Sequence, residues 1–512
     1  MTDTKRRRGP QLGDLAAGLS VAIVLIPQSL AYAELAGMPP YRGLYAAALP
    51  PLAAVFFASS PYLQTGPTAI VSLLTASALA GLAAEGSSEY VGLALLLAIM
   101  AGLIWVITGV LRAGAVAYLM SEPMLMGFIP AAALVILSTQ LASAFGTKAP
   151  DGSALEEGFW ALTHPGAWES TSIVLSVVVL ILMLGGRRLH PLFPGVLVAV
   201  AVALGYSELA DYGGRVVGEV PVELPPISLD LPWSEFGKLI VPALVITLVG
   251  FAEAGSIART FAAMERERWD PNREFISQGV ANLTAGIAGG FPVCGSFSRS
   301  SLNHISGART RWAGAVTGLI VLAFLPFAAL LEGLPKAVLA AIVIGAVSKL
   351  VRLGAPLRLW RYSRPQFAVA WVTFMLTLAL SEQVEIAVMV GIALAIVIHL
   401  WRELKIDVQA WTEGEQHLHL RPAGVLWFGA APALEDSFLQ LLAEHQGSED
   451  LTIHLDGLGR IDLTGALALR ALVGEAREAG LNVTIDGVPT HARGLITEIV
   501  EREDAPLGGG HG

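Results

Sequence analysis

Cysteine is all but missing from this sequence. Cys294 stands alone, which excludes an internal disulfide and any metal site built from several thiolates. Charge is scarce as well: Asp, Glu, Lys and Arg make up 14% of the 512 residues, against roughly 25% in soluble domains. The chain has no phosphate-cradling G-x-x-x-x-G-K-[ST] loop, no G-x-S-x-G elbow and no cluster of metal ligands. Nothing in it therefore points to an enzyme, a bound cofactor or ATP as an energy source. The formal net charge of −10 comes from acidic loops and an acidic tail and does not suggest a nucleic-acid partner. What is abundant is apolar. With 54% hydrophobic residues and a mean hydropathy of +0.63, most of the chain is suited to a lipid bilayer.

Apolar segments run at about residues 11–35, 44–58, 69–82, 91–111, 123–143, 172–185 and 192–205. After a polar, proline-rich loop they resume at about 239–263, 275–289, 295–305, 312–331, 337–350, 367–380 and 384–401. That makes fourteen segments, several too short to cross a bilayer alone. If the loops alternate sides from a cytoplasmic N-terminus, one side collects twenty Lys or Arg residues and the other only Arg42, Lys148, Arg215, Lys238 and Lys336. The positive-inside rule then gives a multi-pass protein of the cytoplasmic membrane with both termini cytosolic. The basic run at residues 5–8 precedes an apolar stretch too long for a signal core, so the first span is expected to be retained.

The chain changes character after Trp401. Short apolar runs near 425–428, 451–455 and 483–485 alternate with amphipathic stretches at 434–444 and 466–479, the pattern of a small α/β domain. The expected divisions are a cytosolic segment (1–10), two membrane halves (11–205 and 238–405) around an extracytoplasmic loop (206–237), a soluble domain (411–503) and a disordered tail (504–512).

The most informative stretch is P-V-C-G-S-F-S-R-S-S, from Pro292 to Ser301. It holds Arg299, the one Lys or Arg assigned to membrane depth, where a guanidinium faces a cavity, a partner or a passing ion. Pro292 and Gly295 suit a helix that starts mid-membrane, with outward N–H groups and a partial positive charge that favour an anion. A nearby carboxylate partner for Arg299 is the competing reading. The proline-broken T-G-P-T at Thr65–Thr68 lies as far into the first half as Pro292 lies into the second. Matching breaks in two halves mark the central site of a transporter. They predict half-helices from Thr68 and Ser296 whose N-termini face each other.

I-P-Q-S-L-A-Y-A-E-L-A-G-M-P-P-Y-R-G-L-Y-A-A (26–47) and G-S-F-S-R-S-S-L-N (295–303) resemble the two signatures of the SulP anion transporters, also called solute carrier family 26. The tail resembles a STAS domain, with I-D-L-T-G at 461–465 at its turn. The resemblance implies a multi-span α-helical membrane protein of 14 segments, arranged as 7+7 inverted repeats with core and gate domains, and a cytosolic α/β STAS domain. It also implies homodimers and elevator-like movement of the core. Carried over by position, the substrate site comprises Gln28, Tyr32, Thr68, Ala69, Ser296, Phe297, Ser298 and Arg299, with Glu253 beside it.

Each residue has a plainer alternative. Thr68 can cap its own helix, Gln28 can mend the break at Pro27, and Tyr32 can be packing. Glu253 can carry a coupling proton, help hold Na⁺ or simply pair with Arg299. Glu34, near the outer end of the first span, is a second candidate for the coupling ion or a solvated helix-end charge. In the tail, Leu463 stands where phosphorylatable STAS domains carry serine, so control by phosphorylation is not expected there. The function expected is secondary transport of a small anion (sulfate, bicarbonate or a C4-dicarboxylate such as fumarate) by proton symport. Exchange, Na⁺ coupling, an anion channel and nucleobase transport are the alternatives.

Overall fold

A computed structural model describes residues 9–190, 193–210, 212–221, 224–227, 230–414 and 416–501. The basic run at 5–8 and the expected disordered tail at 504–512 lie outside the described residues. The chain divides after Leu394 into two compact units.

The first unit is helical. Its first half contains α1 (Leu12–Leu35), α2 (Arg42–Ala54), strand β1 (Thr65–Gly66), α3 (Ala69–Leu79), α4 (Ser88–Val110), α5 (Glu122–Ala144), α6 (Ala154–Thr163), α7 (Ser170–Leu180), α8 (Gly186–Leu189) and α9 (Gly195–Leu209). The second half contains α10 (Phe236–Met264), α11 (Pro271–Ile287), strand β2 (Cys294–Gly295), α12 (Phe297–Ile305), α13 (Trp312–Phe324), α14 (Lys336–Val347), α15 (Gly354–Tyr362) and α16 (Arg364–Ala379). α17 (Val384–Glu403) carries the chain into the second unit. Setting aside α6, α8 and α15, fourteen helices remain among the described residues of this unit and its exit, and they coincide with the fourteen apolar segments of the sequence. In each half the third of them is short and is preceded by a two-residue strand.

Two bundles result. One is α1–α4 with α10–α13, and the other is α5, α7 and α9 with α14 and α16; α17 packs on the second, where a Cβ on Gly391 would meet Thr373 Oγ1 of α16 at 2.5 Å. Within the first, α4 and α11 lie almost backbone to backbone. A Cβ on Gly102 would sit 2.8 Å from the Gly279 carbonyl oxygen, and one on Gly279 would sit 2.8 Å from the Gly102 oxygen. Small residues permit this approach, which is how helices associate where no hydrophobic driving force separates helix from lipid. The bundles are also tied at one end. Lys336 at the start of α14 pairs with Glu34 of α1 at 2.8 Å. Ser77 Oγ, near the end of α3, donates to Glu385 Oε2 at 2.7 Å and accepts from the Val384 amide at 2.7 Å.

The second unit is a small α/β domain. Strands β3 (Asp407–Glu413), β4 (His417–Leu426), β5 (Asp450–His454) and β7 (Asn482–Asp486) lie in that order, and β6 (Leu458–Ile461) pairs with the far end of β4. Only β3–β4 is antiparallel. Helices α18 (Ala431–Glu444) and α19 (Leu463–Glu478), followed by the short α20 (Arg493–Ile496), complete it. Leu418, Leu420, Leu451, Ile453, Phe438 and Leu469 form its core. Alternation along β4 and β5 puts these leucines and isoleucine on one face and histidines on the other. Asp462 caps α19 by accepting from the Gly465 amide at 2.7 Å, and Leu463 is exposed.

Candidate functional site

Extended backbone at bilayer depth survives only if its polar groups find partners inside the protein. At the two breaks they do. β1 and β2 pair antiparallel, with Thr65 opposite Gly295 and Gly66 opposite Cys294. Asn282 of α11 clasps Val293 at both ends, donating to its carbonyl at 2.8 Å and accepting from its amide at 2.9 Å. Gln278, one turn earlier, donates to Thr65 Oγ1 at 2.9 Å. Ser300 Oγ accepts from the Gln64 amide at 2.9 Å, and the Gln64 carbonyl accepts from the Ser296 amide at 3.0 Å. The breaks expected at 65–68 and 292–296 are thus two halves of one small ribbon.

From this ribbon two helices leave, α3 after Thr68 and α12 after Ser296. Among the described residues neither N-terminus receives a side-chain cap. Thr68 is buried, and its Oγ1 has no hydrogen-bond partner among the described residues, so it does not cap its own helix. Both first turns present amide groups and the positive end of a helix dipole.

Arg299 lies in the first turn of α12 and is 1% exposed. Its Nη1 donates to the Pro67 carbonyl at 2.8 Å, tying α12 to the opposite break. Nε and Nη2 are buried without a partner among the described residues. A Cβ on Gly66 would come to 3.4 Å from Nη2, so the absence of a side chain there leaves that nitrogen room. The carboxylate of Glu253, on α10, does not satisfy the free donors, since its own Oε2 is also buried and unpartnered. Tyr32, Glu253 and Cys294 lie close enough to Arg299 to interact with its charge. Cys294 Sγ is engaged with the Gly250 carbonyl.

Gln28 and Tyr32 of α1 are both buried, and Gln28 Oε1 lacks a partner among the described residues. α1 packs on both α3 and α12, which brings these two residues to the same region. Ala69 is buried in the first turn of α3. Ser296 is buried and Ser298 exposed, with their hydroxyls 3.3 Å apart. The Phe297 side chain is 55% exposed and stacks on Phe261, so only its backbone amide belongs to the first turn. Glu34 is drawn off by Lys336 at the other end of α1.

Three polar residues escaped the sequence reading. Gln64 is 1% exposed with both amide atoms unpartnered, Gln278 keeps Oε1 free, and Ser72, one turn into α3, has a buried free hydroxyl. Gln278 and Asn282 stand four apart on α11, a helix that also buries Gly279, Ala281, Ala285 and Gly286, so a common polar face was the signal that would have found Gln278.

A family model described as the sulfate permease family matches residues 12–373. Over 400 residues the chain is 33% identical to sulfate transporter 4.1, chloroplastic, of Arabidopsis thaliana, an alignment covering 75% of this chain and 58% of that one. Over 395 residues it is 35% identical to a probable sulfate transporter of Mycobacterium tuberculosis, covering 75% and 69%. The structure of the murine solute carrier 26 family member A9 anion transporter in its inward-facing state superposes with a TM-score of 0.86 at 21% identity, covering 96% of this chain and 88% of that one. At that identity the likeness speaks for the fold.

Proposed function

This chain belongs to the sulfate permease family, and on that premise we propose that it is a secondary transporter of a small anion, with sulfate the first candidate. The observation that carries the reading is the Arg299 guanidinium, buried with two free donors where two uncapped helices present their positive ends. A buried cation left unpartnered is strongly disfavoured, and an anion seated between the helices removes the penalty. Sulfate can accept from the guanidinium and from the backbone amides of both first turns. Backbone donors do not discriminate finely, so bicarbonate and a C4-dicarboxylate such as fumarate fit the same chemistry.

Coupling follows from charge. One guanidinium balances half of a dianion, and a proton taken up by Glu253 removes the carboxylate charge that would otherwise repel the anion. Glu253 is assigned this role ahead of Glu34, whose carboxylate is already paired with Lys336. The bundle of α1–α4 and α10–α13 carries the site past the other bundle in an elevator-type movement. The working assembly is a homodimer in the cytoplasmic membrane, with both termini cytosolic.

Uptake of labelled sulfate into proteoliposomes tests this, run with and without an acid-outside gradient, with a Na⁺ gradient as control. An acid-outside gradient should drive accumulation above equilibrium, and Arg299→Gln should remove it. Accumulation driven by Na⁺ alone, or strict exchange, would replace proton symport. Sulfate uptake that survives Arg299→Gln intact would overturn the site.

A further inference from the structure

Between Glu332 and Glu382 the sequence contains no acidic residue. The described structure gathers the four arginines of this stretch on or beside α15. Arg352, Arg358, Arg361 and Arg364 are all exposed, and so are Leu353 (45%), Leu357 (52%), Trp360 (56%) and Tyr362 (81%). Pro356 is the one buried residue of the helix. At 100° per residue Ala355, Pro356 and Leu359 share the inner face. Going round the helix from Pro356, Trp360 and Leu357 come first, then Arg361 and Arg358 side by side, then Tyr362. Trp360 is held edge-on against Phe367 of α16, ring centres 5.0 Å apart, with the Arg364 guanidinium 5.5 Å from its ring centre.

α15 joins α14 to α16, two of the membrane helices, so it lies where the bilayer ends. A short helix there, with aromatic and leucine side chains beside like charges, has the make-up of a segment lying in the headgroup layer. We propose that α15 and its flanking arginines form a binding surface for anionic phospholipid headgroups. Leu353, Leu357 and Trp360 enter the acyl boundary, and Arg358 and Arg361 take the phosphates. Charge complementarity selects this occupant, because the stretch offers an approaching anion no repulsive carboxylate. The inference is independent of what the central site carries.

Native mass spectrometry of the full chain in detergent provides the test, with phosphatidylglycerol or phosphatidylcholine added. Wild-type protein should retain phosphatidylglycerol in preference to phosphatidylcholine, and Arg358→Gln/Arg361→Gln should weaken that retention on the order of tenfold. Arg358→Lys/Arg361→Lys should keep most of it, and Arg493→Gln, in the second unit, should keep all of it. If the glutamine variant elutes as folded protein and still retains phosphatidylglycerol as wild type does, the proposal is wrong. Displacement of the lipid by millimolar inorganic phosphate would also overturn it, since the surface would then be a site for free anions. Should the glutamine variant fail to fold, Trp360→Ala with Leu357→Ala provides the second reading. It should lower retention with the arginines in place, and unchanged retention would count against the proposal.

Discussion

Arg299 and Glu253 are a base and an acid in one buried region, yet Arg299 Nε and Nη2 and Glu253 Oε2 are left unpartnered among the described residues. A pair serving only to hold helices together would be expected to close on itself, since unpaired buried ionisable groups are expensive. Keeping them available is what a site needs when it must hold an anion and a proton together. Two outcomes are expected at this scale. Arg299→Gln keeps the size but loses the charge, and sulfate binding measured by calorimetry should weaken by about 2–5 kcal/mol. Glu253→Gln removes the group that takes up the proton. Sulfate-for-sulfate exchange should then persist while uptake driven by an acid-outside gradient disappears. Exchange and gradient-driven uptake lost in equal measure would mean that Glu253 supports binding or folding instead of coupling.

At the scale of elements, the ribbon of β1 and β2 depends on α11. Asn282→Ala would strand both the amide and the carbonyl of Val293 in a dry environment, at about 1–3 kcal/mol for each orphaned group. Gly279→Val would push a branched side chain into the Gly102 carbonyl, with overpacking typically costing about 1–3 kcal/mol. Both variants should lower the thermal midpoint in detergent, and Asn282→Ala should also reduce sulfate affinity because it loosens the seat of α12. An unchanged midpoint for Asn282→Ala would show that the clasp is dispensable. The two broken helices were legible in the sequence because proline, glycine and hydroxyl residues interrupt apolar segments at matching distances into each half. The ribbon itself was not, since two residues per strand leave no periodicity to read. Gln64 was missed for a related reason: only the fold brings it beside Ser296 and Ser300, more than two hundred positions away. α15 was read as loop charge because nine residues of mixed arginine and aromatic character do not reach spanning length.

For the whole molecule, what matters is how its first unit is tied together. The Glu34–Lys336 pair and the Ser77 contacts to Val384 and Glu385 both join the bundle that carries Thr68 and Arg299 to the other bundle. Both lie at one end of the helices: α1 finishes at Leu35, α3 at Leu79, and α14 and α17 start at Lys336 and Val384. If the site-bearing bundle slides past its neighbour during transport, these contacts must part in every cycle. The Glu34–Lys336 pair is partly exposed and worth only about 0–1 kcal/mol, and the Ser77 hydrogen bonds, buried at the Val384 amide, are worth about 0.5–3 kcal/mol each, so both can break and re-form. A covalent tie at the same place should therefore stop the cycle. Glu34→Cys/Lys336→Cys, made in a Cys294→Ala background and joined by a short bis-maleimide, should abolish net sulfate flux in proteoliposomes. The same variant left unlinked should keep most of it. A linked protein that transports at the unlinked rate would mean that the two bundles move as one body, and the passage of the anion would then have to be explained by smaller gates around a fixed site.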